Sequence, residues 1–103
     1  MSGPDYTARV AAGAAFLDEH RPGWAGRIDL DRLALIDDCD CVLGQLSGTY
    51  DRGRTALGLS LGEEFLFGFL PGGGGGSAEG WDQLDAAWTA EIRQRCESTA
   101  VTI

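Results

Sequence analysis

Residues 71–77 read Pro-Gly-Gly-Gly-Gly-Gly-Ser, and five consecutive glycines cannot sustain a helix or a strand, because glycine loses more conformational freedom on ordering than any other residue. A segment of this kind behaves as a random coil that spans roughly 17 Å for about ten residues. The chain is thereby divided into a long N-terminal part and one C-terminal element, joined by a tether able to carry it across a domain. A flexible glycine-rich loop is expected over 71–80. It lies inside a single domain, residues 1–103, because a chain of this length can bury one core without obligatory staples.

Beyond the tether, Trp81, Leu84, Trp88 and Ile92 form one apolar stripe at helical spacing, which predicts a final helix over 80–95. Arg93 and Arg95 suit the negative end of its dipole. Near the start of the chain, Tyr6, Val10, Gly13, Ala14 and Leu17 repeat at the same spacing, and Arg21-Pro22-Gly23 is a strong stop, so a first helix is predicted over 5–20. From Trp24 to Ile36 the pattern is ambiguous: Ile28 and Leu30 alternate with charges as in a strand, while Leu30, Leu33, Leu35 and Ile36 also fit a turn of helix. A short strand near 27–30 followed by a helical turn is the expectation. Val42, Leu43, Leu46 and Tyr50 predict a short helix over 41–50, with Asp38 or Asp40 placed to cap it. Phe65, Phe67 and Phe69 alternate with Leu66, Gly68 and Leu70, which reads as a short buried strand over 64–70. The fold expected is thus a small, helix-dominated α+β domain of about three helices and one or two short strands. Its predicted core comprises Val10, Leu17, Leu43, Leu46, Phe67, Leu84, Trp88 and Ile92.

Sixteen acidic residues face eight arginines, giving a formal charge of -8, and lysine and asparagine are both absent. The missing residues are those with AT-rich codons, which points to a GC-rich genome. A chain this acidic is repelled by phosphate backbones and anionic headgroups, so neither direct nucleic-acid binding nor membrane binding is expected. No run of about 18 apolar residues is present for a membrane span, and the N-terminus lacks the basic-then-apolar order of a secretory leader. A cytoplasmic setting follows as the expectation. Three cysteines, Cys39, Cys41 and Cys96, are an odd number, and two of them are too close in sequence to bridge without strain. Reduced thiols are expected.

The stretch from Asp37 to Tyr50 is the densest in small, acidic and thiol side chains. Asp29, Asp31, Asp37, Asp38 and Asp40 gather acid within twelve residues, enough to face a basic partner or to offer oxygen ligands to a divalent cation. They do not match the spacing of a calcium loop, and turns and caps demand the same residue types. Cys39, Cys41, Cys96 and His20 equal in number the ligands of a tetrahedral zinc site. The Cys-x-Cys spacing lacks a second knuckle, however, and Cys41 opens the apolar run Val42-Leu43, where a cysteine acts as a small core hydrophobe. Gly73-x-Gly75-x-x-Ala78 satisfies a dinucleotide-binding pattern only as any glycine run does, and Glu79 and Asp82 put negative charge where a phosphate needs a positive helix end. The acids between Asp29 and Asp40 could pair for acid-base work, but with one histidine, His20, at a helix end, a complete catalytic constellation is hard to assemble. No catalytic residue, cofactor or resident metal is expected.

The run Cys41-Val42-Leu43-Gly44-Gln45-Leu46, together with Leu17-Asp18-Glu19-His20-Arg21-Pro22-Gly23-Trp24, Arg27-Ile28-Asp29-Leu30 and Leu84-Asp85-Ala86-Ala87-Trp88, resembles small proteins encoded by actinobacteriophages and their prophages. The resemblance covers most of the chain outside the glycine run and agrees with the GC-rich composition. It carries no catalytic motif. What it implies is an accessory phage protein acting in the cytoplasm of a bacterial host. The function expected is a non-enzymatic module that binds a host or phage protein, with Asp29, Asp31, Asp37, Asp38 and Asp40 imitating a charged partner. The alternative is a small metal-binding protein, or a metal-dependent enzyme, using Cys39, Cys41 and the acids beside them.

Overall fold

The computed structural model describes residues 6–70 and 78–101. Among the described residues, five α-helices and one 3-10 helix follow each other: α1 (Tyr6–His20), the 3-10 helix (Trp24–Arg27), α2 (Val42–Ser47), α3 (Tyr50–Leu57), α4 (Leu61–Leu66) and α5 (Ala78–Val101). Among the described residues there is no strand. The expected α+β class is therefore corrected to all-α.

Both predicted strands dissolve into helix-terminating structure. The alternation of Phe65 to Leu70 is the end of α4, where the N–H of Gly68 bonds the Phe65 carbonyl at 3.2 Å and that of Phe69 the Glu64 carbonyl at 3.0 Å. These are the two bonds of a Schellman cap, which places a left-handed residue just past the helix and an apolar residue after it. Gly68, at φ 73, supplies the first and the fully buried Phe69 the second. The same device closes α3: Gly58 is left-handed, its N–H reaches Thr55, and the N–H of the buried Leu59 reaches the Arg54 carbonyl at 3.0 Å. The other expected strand, 27–30, begins inside the 3-10 helix, and Ile28 bonds back to Ala25 rather than across to a neighbour.

The single helix expected over 41–50 is two. Gly48 ends α2 at φ 101, and Thr49 starts α3 by accepting the Arg52 N–H on its hydroxyl at 3.2 Å. Ser60 starts α4, its own N–H held by the Glu63 carboxylate at 2.9 Å, the return half of a capping box. The final helix begins at Ala78, so Gly80, expected in the glycine loop, is a buried residue of α5. Residues 71–77 of that loop lie outside the described residues.

α1 packs along α5, which also carries the 3-10 helix against it. Val10, Ala14 and Leu17 from α1 meet Leu84, Trp88 and Ile92 from α5 in one cluster, closed by Trp24, Val42, Leu43, Leu59 and Phe69. Trp88 is its centre: its ring stacks on Phe69 at 5.3 Å and meets the edge of Trp24 at 5.8 Å, while its indole N–H donates to the Gly68 carbonyl at 2.8 Å. Leu46 and Phe67, expected in this core, are half-buried at its margin. Phe67 instead stacks on Phe16 at 4.7 Å, and the Phe16 ring in turn lies 4.3 Å from His20.

Candidate interaction surface

Between the 3-10 helix and α2 the chain runs through successive turns from Leu30 to Asp40 without regular structure. Such a stretch must find partners for its backbone polar groups elsewhere. Gln45, on the first turns of α2, supplies several: its side-chain oxygen accepts the Asp29 N–H at 2.6 Å, and its amide donates to the carbonyls of Asp29 at 3.2 Å and Asp40 at 3.0 Å. Asp85, reaching over from α5, accepts the Leu35 N–H at 2.8 Å. The Asp38 carbonyl receives the N–H of Tyr50, the first residue of α3, at 2.8 Å. Two helices and a third helix's first turn thus grip the loop by its backbone. Leu35 is driven into the core, and its neighbour Ile36 is turned outward at 66% exposure.

The five acids proposed for partner binding share this loop but not one role. The Asp29 carboxylate accepts the Asp31 N–H at 3.0 Å, and that of Asp37 accepts the N–H groups of Cys39 and Asp40 at 2.8 and 3.0 Å. Asp40 pairs with Arg32 at 2.6 Å. These side chains build the turns, as aspartate does by mimicking a backbone acceptor. The side chains of Asp31 and Asp38 are exposed and engage no hydrogen-bond or ionic partner among the described residues. With Ile36 and Cys39, they are exposed side chains of this loop that its own hydrogen bonds and ion pairs do not engage.

The cysteines do not converge. Cys39 and Cys96 are exposed and Cys41 is buried, all three free, and among the described residues no group of three or more His, Cys, Asp and Glu is arranged to hold a metal ion. Cys41 occupies the cap position of α2: its sulfur accepts the Gly44 N–H at 3.1 Å and faces the Asp38 carbonyl at 3.6 Å. Burial pushes this thiol up to about 11, outweighing the lowering effect of the Gly44 N–H. It is therefore a neutral structural group at physiological pH, not a nucleophile. Cys41→Ser, which keeps the cap, is expected to cost less than Cys41→Ala, which loses both the cap and packing and should cost about 1–2 kcal/mol; urea unfolding of the two variants checks the order.

The motif from Cys41 to Leu46 now has a physical account. Cys41 caps, Val42 and Leu43 fill the core, Gly44 admits the loop backbone, and Gln45 clamps it. Neither the cap nor the clamp is legible in the sequence: the cap expected of Asp38 or Asp40 is supplied by Cys41. Asp85 was hidden too, since its contact lies fifty residues away along the chain.

Burial raises the Asp85 carboxyl above its usual range, against the lowering effect of the Leu35 N–H, with Asp82 adding to the rise. A carboxyl whose folded value is raised opposes folding when ionised. Its contribution therefore improves as pH falls through the raised value and levels off below the ordinary value of about 3.9. Asp85→Asn keeps an acceptor for Leu35 without the charge. We expect this variant to match or exceed the parent's melting temperature at pH 7 and to lose that component of the pH dependence, as a melting series from pH 3 to 7 will show.

A second constellation lies at the far end of α5. Arg95 forms a two-pronged pair with Asp18 at 2.8–3.2 Å, bonds the Glu91 carboxylate at 2.6 Å and lies 5.7 Å from the centre of the Trp24 ring. Asp18 also accepts the Trp24 indole N–H at 2.8 Å. The Arg95 bonds hold the Asp18 carboxyl below the usual range, so its stabilising effect is complete above about pH 3.9 and is lost only as pH falls through the lower folded value. Together these contacts fasten α1, the 3-10 helix and α5. They line an open groove of about 730 Å³ that also includes Gly23, Gln94 and Cys96.

Fold and surface define a small all-helical domain that presents one backbone-anchored acidic loop. No family model matches this chain, nor does any curated protein or solved structure. No helix among the described residues is long and apolar enough to cross a membrane.

Proposed function

We propose that this chain is a non-enzymatic accessory module that binds a basic protein partner through the loop from Asp29 to Asp40. The observation that carries the reading is Ile36, a large aliphatic side chain left 66% exposed in a loop whose backbone is otherwise held from three sides. An apolar anchor with charge around it is the anatomy of an interface, in which the buried contact supplies affinity and the rim charges supply steering and selectivity. The exposed Asp31 and Asp38 stand before and after that anchor along the loop, and their negative charge fits a partner bearing arginine or lysine. The sulfur of Cys41, buried and engaged as the cap of α2, favours this reading over the metal-dependent alternative. The resemblance to actinobacteriophage proteins makes a host or phage protein in a bacterial cytoplasm the proposed partner.

Affinity capture from an actinobacterial lysate tests this, with Ile36→Asp and the double variant Asp31→Arg/Asp38→Arg run beside the parent chain. These positions are exposed, so stability should change by no more than about 0.5 kcal/mol. The parent is expected to recover a partner at low salt and lose it steeply as salt rises, since exposed charges are screened within about 10 Å at 0.1 M. Both variants should recover little at any salt. Equal recovery by parent and Ile36→Asp would remove the loop from the interface, and recovery of nothing by the parent at low salt would remove the reading.

A further inference from the structure

We draw no further inference here: the strongest candidate, the open groove between the Trp24–Arg27 helix and the C-terminal half of α5, has Arg95 bonded to both Asp18 and Glu91 along its wall, and nothing in the structure shows what covers it.

Discussion

Trp88→Ala is expected to lower the free energy of unfolding by about 3–5 kcal/mol, the range for truncating a fully buried large aromatic side chain. Trp88 is wholly inaccessible and touches both other large rings of the core. Its loss leaves a cavity between α1 and α5 and also strips the Gly68 carbonyl of its donor, a buried acceptor left unmet at a cost of about 1–3 kcal/mol. The two penalties overlap and do not simply add. Since domains of this size are stable by only about 5–15 kcal/mol, a substantial unfolded population at 37 °C is the anticipated outcome. Trp81→Ala, at a half-buried position of the same helix, should cost distinctly less. Urea unfolding followed by circular dichroism measures both, and a Trp88→Ala loss below about 1.5 kcal/mol would contradict the central place given to this ring.

Gly44→Ala is the second large effect, and it runs against the usual gain from replacing glycine in a helix. A methyl group there would collide with the Asp38 carbonyl oxygen and stand 2.8 Å from both the α-carbon and the carbonyl carbon of Cys39. All of these are backbone atoms, which cannot swing aside as a flexible side chain would. The loop must move, and the same Asp38 carbonyl receives the N–H that starts α3. Overpacking of this kind costs about 1–3 kcal/mol, and the backbone obstacle places this case at the upper end. Gly62→Ala in α4 is the matched control: nothing lies within 4 Å of its would-be β-carbon. Helix propensity alone then applies, with a gain of a few tenths to about 1 kcal/mol. Opposite signs for the two variants in the same unfolding assay are the expected result, and a neutral Gly44→Ala would show that the loop is not packed against α2 as described.

What could be read from the sequence was whatever depends on local periodicity. Val10 and Leu17 announced α1, and Leu84, Trp88 and Ile92 announced α5, because each stripe faces one core and repeats at the helical interval. The Phe65 to Leu70 run misled for a definite reason. Alternation over six residues also arises where a helix ends in a Schellman cap, with Phe67 at the cap and Phe69 folded back into the core. Gly68 was the signal, and it reads as a cap as readily as it reads as a gap in a strand. The short helices were hard to separate because Gly48 and Thr49 look like two unremarkable residues inside one apolar pattern. The loop's anchors were out of reach for another reason. Gln45 and Asp85 act through backbone atoms of residues distant in sequence, and no pattern of residue types encodes which amide a side chain will meet. Of the five candidate acids, composition located the loop, but only the geometry separated Asp29, Asp37 and Asp40, which build it, from Asp31 and Asp38, which face outward.

The way the loop is fastened has a consequence for how such a protein can change over time. Its shape is fixed by the turn-building Asp29, Asp37 and Asp40 and by Gln45, Asp85 and the first turn of α3 acting on main-chain atoms, so the fold draws little from the side chains of Asp31, Ile36 and Asp38. If the loop binds as proposed, substitutions at those three positions would alter what is recognised while leaving the scaffold's stability nearly where it was, and substitutions at Gln45 or Asp85 would act on the loop's shape instead. On that reading, a diverging partner could be followed by exchanging a few outward residues, with the main-chain anchors of the loop left in place.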